Sequence, residues 1–367
     1  TATKIDDLWN RVQKMAINCA KKYGAEFSRI HTISLSGDVM NDEEQIEKVI
    51  SYVEEWEVDG VYIVCEHPER YYLVDKPLWV SNLLSLIAGI KRQHKKTIVG
   101  YASHQLLCLS LAKCDAIASG NFLKLRWFQP EHFESVEEKN ISRRAIWYYS
   151  PQALSEFKIP FLDIAKRMNL LNKLKPAASM ENPYSDMLFG LGLPSSTGFG
   201  EKEAFRHYLY CLRKQCQMSV RETYKETRDA HLLLLETAEQ LLAGLREKGI
   251  RGQDRDFGEI IDVNRAAIAA YDMAYQLNSD VSSFQLLNTT NQETLEPFAA
   301  DLCVVNKDVS ATGVSLPDVG AAALFDLKNL DTLYAKNANV QVNPASLTKV
   351  MTALVAMKYG SADKMLT

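Results

Sequence analysis

A hydroxyl and an amine one helical turn apart can act as nucleophile and base. Ser346 and Lys349 stand at that spacing within Asn343-Pro-Ala-Ser-Leu-Thr-Lys-Val-Met-Thr-Ala-Leu-Val-Ala356. Pro344 suits the first turn of a helix, where its missing N–H costs nothing. A helix would place both side chains on one face. The apolar residues that follow favour burial, and burial lowers the pKa of a lysine toward that of a usable base. Ser-x-x-Lys by itself has little specificity, because Ser155–Lys158 and Ser361–Lys364 repeat it.

The surroundings single out the Ser346 copy. Leu324-Phe-Asp-Leu, Leu333-Tyr-Ala-Lys-Asn-Ala-Asn, Pro344-Ala-Ser-Leu-Thr-Lys and Met351-Thr-Ala follow one another in that order. From about residue 297 to residue 367 the chain resembles the opening of the serine D-alanyl-D-alanine carboxypeptidases, the low-molecular-mass penicillin-binding proteins. The resemblance implies that Ser346 is the acylated nucleophile and Lys349 its general base. It implies hydrolysis of peptidoglycan peptides through an acyl-enzyme, with no cofactor and no metal. It also calls for a Ser-x-Asn and a Lys-Thr-Gly strand after the nucleophile, and neither occurs among residues 350–367. Ser119-Gly-Asn121 matches the first by letter but precedes Ser346 in the chain. Loss of one oxyanion donor alone costs about 100- to 1000-fold in rate. The 367 residues by themselves are therefore expected to be inactive as a peptidase.

A second group of candidates comes from the first half of the chain. Short apolar runs near 30–36, 60–65, 97–101, 115–119 and 145–149 read as strands. They alternate with helical patterns, which predicts a parallel sheet. The expected architecture is a partial or irregular (β/α) barrel, with a doubly wound parallel sheet as the alternative. Functional residues gather at the C-terminal ends of such strands. Those ends supply Asp38, Glu66 with His67, His104, and Ser119 with Asn121, and Arg126 follows. Asp38, Glu66, His104 and Arg126 form the second candidate site, for an anionic or sugar-like ligand. Glu66 or His104 would be its acid or base. Lys124-Leu-Arg-Trp-Phe and Arg143-Arg-Ala-Ile-Trp-Tyr-Tyr interleave cations with aromatics. That pattern can stack on bases, although a strand with one solvated face is the plainer reading.

These motifs need elements to position them. Ile5, Leu8, Trp9, Val12, Met15, Ala16 and Cys19 have helical apolar spacing, which predicts a helix over 5–23. Residues 104–113 and Pro160–Leu174 read as helices. The glycines of 189–200 precede a helix near Glu201 without the Gly-Lys-Ser/Thr of a P-loop, so a hinge is expected there. Residues 201–248 read as one long helical stretch, turned by Lys248-Gly-Ile-Arg-Gly-Gln-Asp254 into a returning helix. That helical hairpin is expected to pack against the first domain, with a homodimer surface as the alternative. The expected organisation is a barrel-like domain over 1–180, the hairpin over 181–285, a polar linker over 286–299 and an incomplete penicillin-binding-like α+β segment over 300–367.

Composition limits the classes. The chain has 367 residues, 47% hydrophobic and 24% charged, with a formal charge of −4. That balance argues against a generally basic nucleic-acid binder. The cysteines at 19, 65, 108, 114, 211, 216 and 303 show no zinc-like spacing and read as reduced thiols. No run of about 18 apolar residues and no signal-peptide core is visible. The chain as given is therefore expected to be cytoplasmic, or extracytoplasmic if an export signal had been removed.

Overall fold

The computed structural model describes residues 1–23, 27–133, 145–287, 322–326 and 331–336. Contacts divide the chain into two compact units, Thr1–Ala274 and Tyr275–Thr367. The first unit opens with α1 (Asp7–Tyr23), β1 (Ile30–Leu35), α2 (Gly37–Met40) and α3 (Glu43–Glu54). It continues through β2 (Gly60–Cys65), α4 (Pro77–Arg92), β3 (Lys96–Val99) and β4 (Ala116–Ile117). The four strands are parallel and lie in chain order, β1-β2-β3-β4. The expected parallel α/β sheet is thus present, with no reversal of order among the described strands.

Local chemistry sets these elements. Asp42 caps α3 by accepting from the backbone N–H groups of Glu44 (2.9 Å) and Gln45 (3.2 Å). Pro77 occupies the first turn of α4. Trp79, Leu83, Leu84, Leu86, Ile87 and Ile90 of that helix are buried, and with Val61 and Ile63 of β2 they belong to the central core. Residues 104–112 form tight turns of 3₁₀ type, ended by Lys113 in the left-handed region (φ 56°).

The strand expected near 145–149 does not join the parallel sheet. β5 (Trp147–Ser150) pairs antiparallel with β6 (Ser155–Lys158). The four residues between them are too few for a parallel crossover, which needs a dozen or more. α5 (Ile159–Arg167) follows. The long helical stretch is broken into α6 (Glu201–Ser219) and α7 (Tyr224–Arg246). Thr223 restarts the helix: its hydroxyl accepts from Glu226 N–H (3.2 Å), and its own N–H donates to the Glu226 carboxylate (3.2 Å). α8 (Ile261–Leu287) follows, and within the first unit its Arg265 and Asp272 pair with Glu239 and Arg228 of α7. Leu235, Ala238, Leu242 and Leu245 of α7 are buried in the same core as the sheet. At the start of α6, the Gly200 N–H donates to Glu203 Oε2 (3.3 Å), so this helix end carries its own carboxylate.

The second unit contributes an antiparallel pair, β7 (Ala322–Asp326) and β8 (Asp331–Lys336). Ser346 and Lys349 lie outside the described residues, as does the 286–299 segment apart from Leu287 and its predecessor. Among the described residues no helix is long and apolar enough to cross a membrane.

Four histidines are buried in the first unit: His67, His104, His207 and His231. Burial pushes each of them down to about 4 from an ordinary value of 6.5. Between those values the unfolded chain binds protons that the folded chain does not. Stability is therefore fully present above about pH 6.5 and declines as the pH falls toward 4. The urea midpoint measured across that interval is expected to fall steadily with acid. A flat profile would be incompatible with neutral buried imidazoles.

Candidate functional site

Alternation along the β5–β6 hairpin builds one wall of a cavity. Successive strand residues face opposite sides, and the cross-strand pairs are Trp147 with Lys158 and Tyr149 with Glu156. Tyr149, Trp147 and Glu156 face the cavity. Tyr148 and Phe157 are fully buried, and the Tyr148 ring stacks on His207 at 4.9 Å. A second wall is one face of α6, where Glu201, Ala204, Phe205 and Tyr208 recur at helical spacing. A third comes from the loop after β4, with Phe122, Lys124 and Arg126. Arg255, in the turn before α8, completes the cavity of about 400 Å³.

Its most distinctive feature is a buried ion cluster. Glu156 accepts from Arg255 Nη1 at 2.8 Å and from Arg126 Nη1 at 3.4 Å, and Tyr72 donates to it at 3.2 Å. Arg126 and Glu156 are each only 3% exposed. Burial alone would raise the Glu156 carboxyl, but Arg126 and then Arg255 outweigh it and hold the group below the usual carboxylate range. Burial works most strongly against the Arg126 charge, but Glu156, Tyr208 and Tyr72 together outweigh it and raise its pKa.

The two arginines are used differently. Arg126 donates from Nε to Gly120 O (3.0 Å) and from Nη2 to Asn121 O (3.2 Å). Its guanidinium carbon lies 3.5 Å from the Tyr208 ring centroid. Gly120 permits this turn, since a Cβ there would sit 2.3 Å from Leu125. Arg255 lies 4.0 Å from the Trp147 ring centroid, and its buried Nε finds no partner among the described residues. The turn that presents Arg255 is pinned by Asp256, which accepts from the N–H groups of Gly252 and Gly258 (3.1 Å each) and from Arg246 (3.0 Å). Phe257 N–H donates to Ser155 Oγ at 2.8 Å, tying the turn to β6.

The sequence-derived candidates divide accordingly. Arg126 lines the cavity. His104 lies behind the wall: its N–H donates to Tyr208 Oη (3.2 Å), and its ring packs on Tyr149 and Phe257 at 4.9 and 5.7 Å. Glu66 and Asp38 do not line the cavity. Glu66 Oε2 accepts from Gly37 N–H at 3.1 Å, joining the ends of β1 and β2, and Asp38 is exposed in the first turn of α2. His67 is packed against Trp79 and Trp127 at 5.3 and 6.0 Å. Ser119-Gly-Asn121 serves through its backbone, whose carbonyls hold Arg126. The Ser155–Lys158 copy of Ser-x-x-Lys lies on a strand, where residues three apart face opposite sides.

Glu156, Arg255, Trp147 and Tyr208 were not among the expected site residues. One signal for them was present: the two cation–aromatic stretches, 124–128 and 143–149, both reach this cavity through Lys124, Arg126, Trp147 and Tyr149. Neither a scan against protein-family models nor searches of curated proteins and of solved structures match this chain.

Removing the central carboxylate leaves the buried Arg126 and the half-buried Arg255 without their shared anion. Glu156→Ala is expected to destabilise the protein by about 3–5 kcal/mol. Urea unfolding at neutral pH measures it. A loss below ~1 kcal/mol, the scale of an exposed pair, would show that the cluster is solvated.

Proposed function

We propose that the first unit is a binding module for a small anionic ligand with a flat or apolar body, seated in the cavity between β5–β6, α6 and the Arg255 turn. The observation that carries this reading is a charge imbalance: the buried Arg126 and the half-buried Arg255 share one buried carboxylate, Glu156. Arg255, with a donor still unspent, is the group that would meet the anion, because an unpaired buried donor is costly until a ligand engages it. Trp147, Phe205 and Tyr208 supply the apolar surface. A volume of about 400 Å³ suits a small molecule. Strands in chain order with intervening helices support a partial (β/α) barrel as the scaffold. We place the module in the cytoplasm, where buried thiols such as Cys108, pushed up to about 12 by burial, stay reduced and inert.

Calorimetric titration with sugar phosphates and aromatic carboxylates tests the reading. Arg255→Met keeps much of the stem that packs on Trp147 and removes the charge. It is expected to weaken binding by about tenfold or more, which is 1.4 kcal/mol. Binding restricted to cationic ligands, or untouched by this substitution, would refute an anion site.

A second reading concerns the C-terminal residues. β7 and β8 carry Leu324-Phe-Asp and Leu333-Tyr-Ala-Lys, two stretches on which the resemblance to serine D-alanyl-D-alanine carboxypeptidases rests. On this reading Ser346 is acylated with Lys349 as base, once Ser-x-Asn and Lys-Thr-Gly elements are supplied. A labelled β-lactam is expected to mark Ser346 only in protein that has those elements, and not the 367 residues alone. Failure of such completed protein to label, or label that survives Ser346→Ala, would remove the carboxypeptidase assignment.

A further inference from the structure

Helix α1 turns its apolar side to water. Leu8 (61% exposed), Val12 (52%), Met15 (72%) and the exposed Cys19 follow one another at steps of four, three and four, so they form one stripe. These are the residues that periodicity marks for burial. The side that faces the protein is instead mostly polar or amphipathic. Asn10 accepts from Trp56 Nε1 at 2.8 Å, Gln13 meets His31 at 2.8 Å, and Ile17 is buried. A helix held by its polar side, with its apolar stripe outward, has the pattern of an element that packs on two sides.

We propose that this stripe is a dimer interface, occupied by α1 of a second copy of the chain running antiparallel across a two-fold axis. Charge along the helix favours this occupant. Asp7 lies in its first turn and Lys22 in its last, whereas Lys21 is already paired with Glu57 and Asp6 with Lys4 of the same chain. Antiparallel pairing sets each acidic end beside the other copy's basic end and opposes the helix dipoles. Centred on the stripe, it places Val12 opposite Met15 and Leu8 opposite Cys19. The contact is isologous, so it closes at two copies. An anionic membrane surface would attract the lysines but repel Asp6, Asp7 and a chain of net charge −4. The α7–α8 hairpin is a poorer seat, because the leucines of α7 named above are already buried within the first unit.

Light scattering on the full chain from low to high micromolar concentration tests the proposal. The expected result is a mass of two chains. Val12→Glu or Met15→Glu should raise the dimer dissociation constant by about tenfold or more. Both side chains are exposed in the single chain, so circular dichroism and the unfolding midpoint of the separated chains should not change. Asp7→Lys and Lys22→Glu should each weaken the dimer, and the pair together should restore it. A one-chain mass at every concentration overturns the proposal, as does a two-chain mass that resists Val12→Glu and Met15→Glu. Single chains that sediment with phosphatidylserine-containing vesicles and lose this with Met15→Glu would assign the stripe to a membrane surface instead.

Discussion

Much of the first unit's architecture converges on one buried carboxylate shared by two guanidinium groups. Arg126 comes from the loop after β4, Glu156 from β6, Arg255 from the turn before α8, and Tyr72 from the segment after β2. No two of these are neighbours in the chain. Each contact therefore joins a separate stretch to the same point. Attraction between unit charges about 4 Å apart is worth about 4 kcal/mol at an effective dielectric near 20. Desolvation costs several kcal/mol per ion. The two are of similar size, so the cluster adds little net stability. What it adds is selectivity among packings, since an arrangement that strands any member loses its compensation.

That cluster also explains why the cavity has chemical character. An apolar wall of Trp147, Phe205 and Tyr208 would hold any greasy molecule. Two cations on one anion give this cluster surplus positive charge, the basis of the proposed preference for anions. The positioning is mostly backbone work: carbonyls of Gly120 and Asn121 orient Arg126, and Asp256 with its two N–H donors orients the turn of Arg255. Side chains held in this way are positioned in advance, which would lower the cost of binding the proposed ligand.

The outward stripe of α1 and the inward histidines follow the same logic. Burial is set by which surfaces meet, not by residue type alone. Leu8, Val12 and Met15 are as apolar as a core stripe, yet Trp56 and His31 select the other side of that helix through hydrogen bonds to Asn10 and Gln13. His104 stands at a strand-end position of the kind that often carries catalysis, yet Tyr149, Tyr208 and Phe257 enclose it and keep it neutral.

The sequence by itself marked most of the local elements and a parallel sheet, but not that the strand at 145–149 pairs outside it. β-branched runs such as Gly60-Val-Tyr-Ile-Val-Cys65 and caps such as Asp42 act over a few residues, and short-range sterics and hydrogen bonds suffice to read them. It also marked Arg126 and the two cation–aromatic stretches, because composition is visible without coordinates. The tertiary structure alone decided that those stretches face each other, that Glu156 and Arg255 join them across 99 residues of chain, and that Glu66 and Asp38 stay apart from them. A charge pair of that separation leaves no local periodicity. Its partners are chosen by the packing of whole elements, and that choice exists only once the chain has closed on itself.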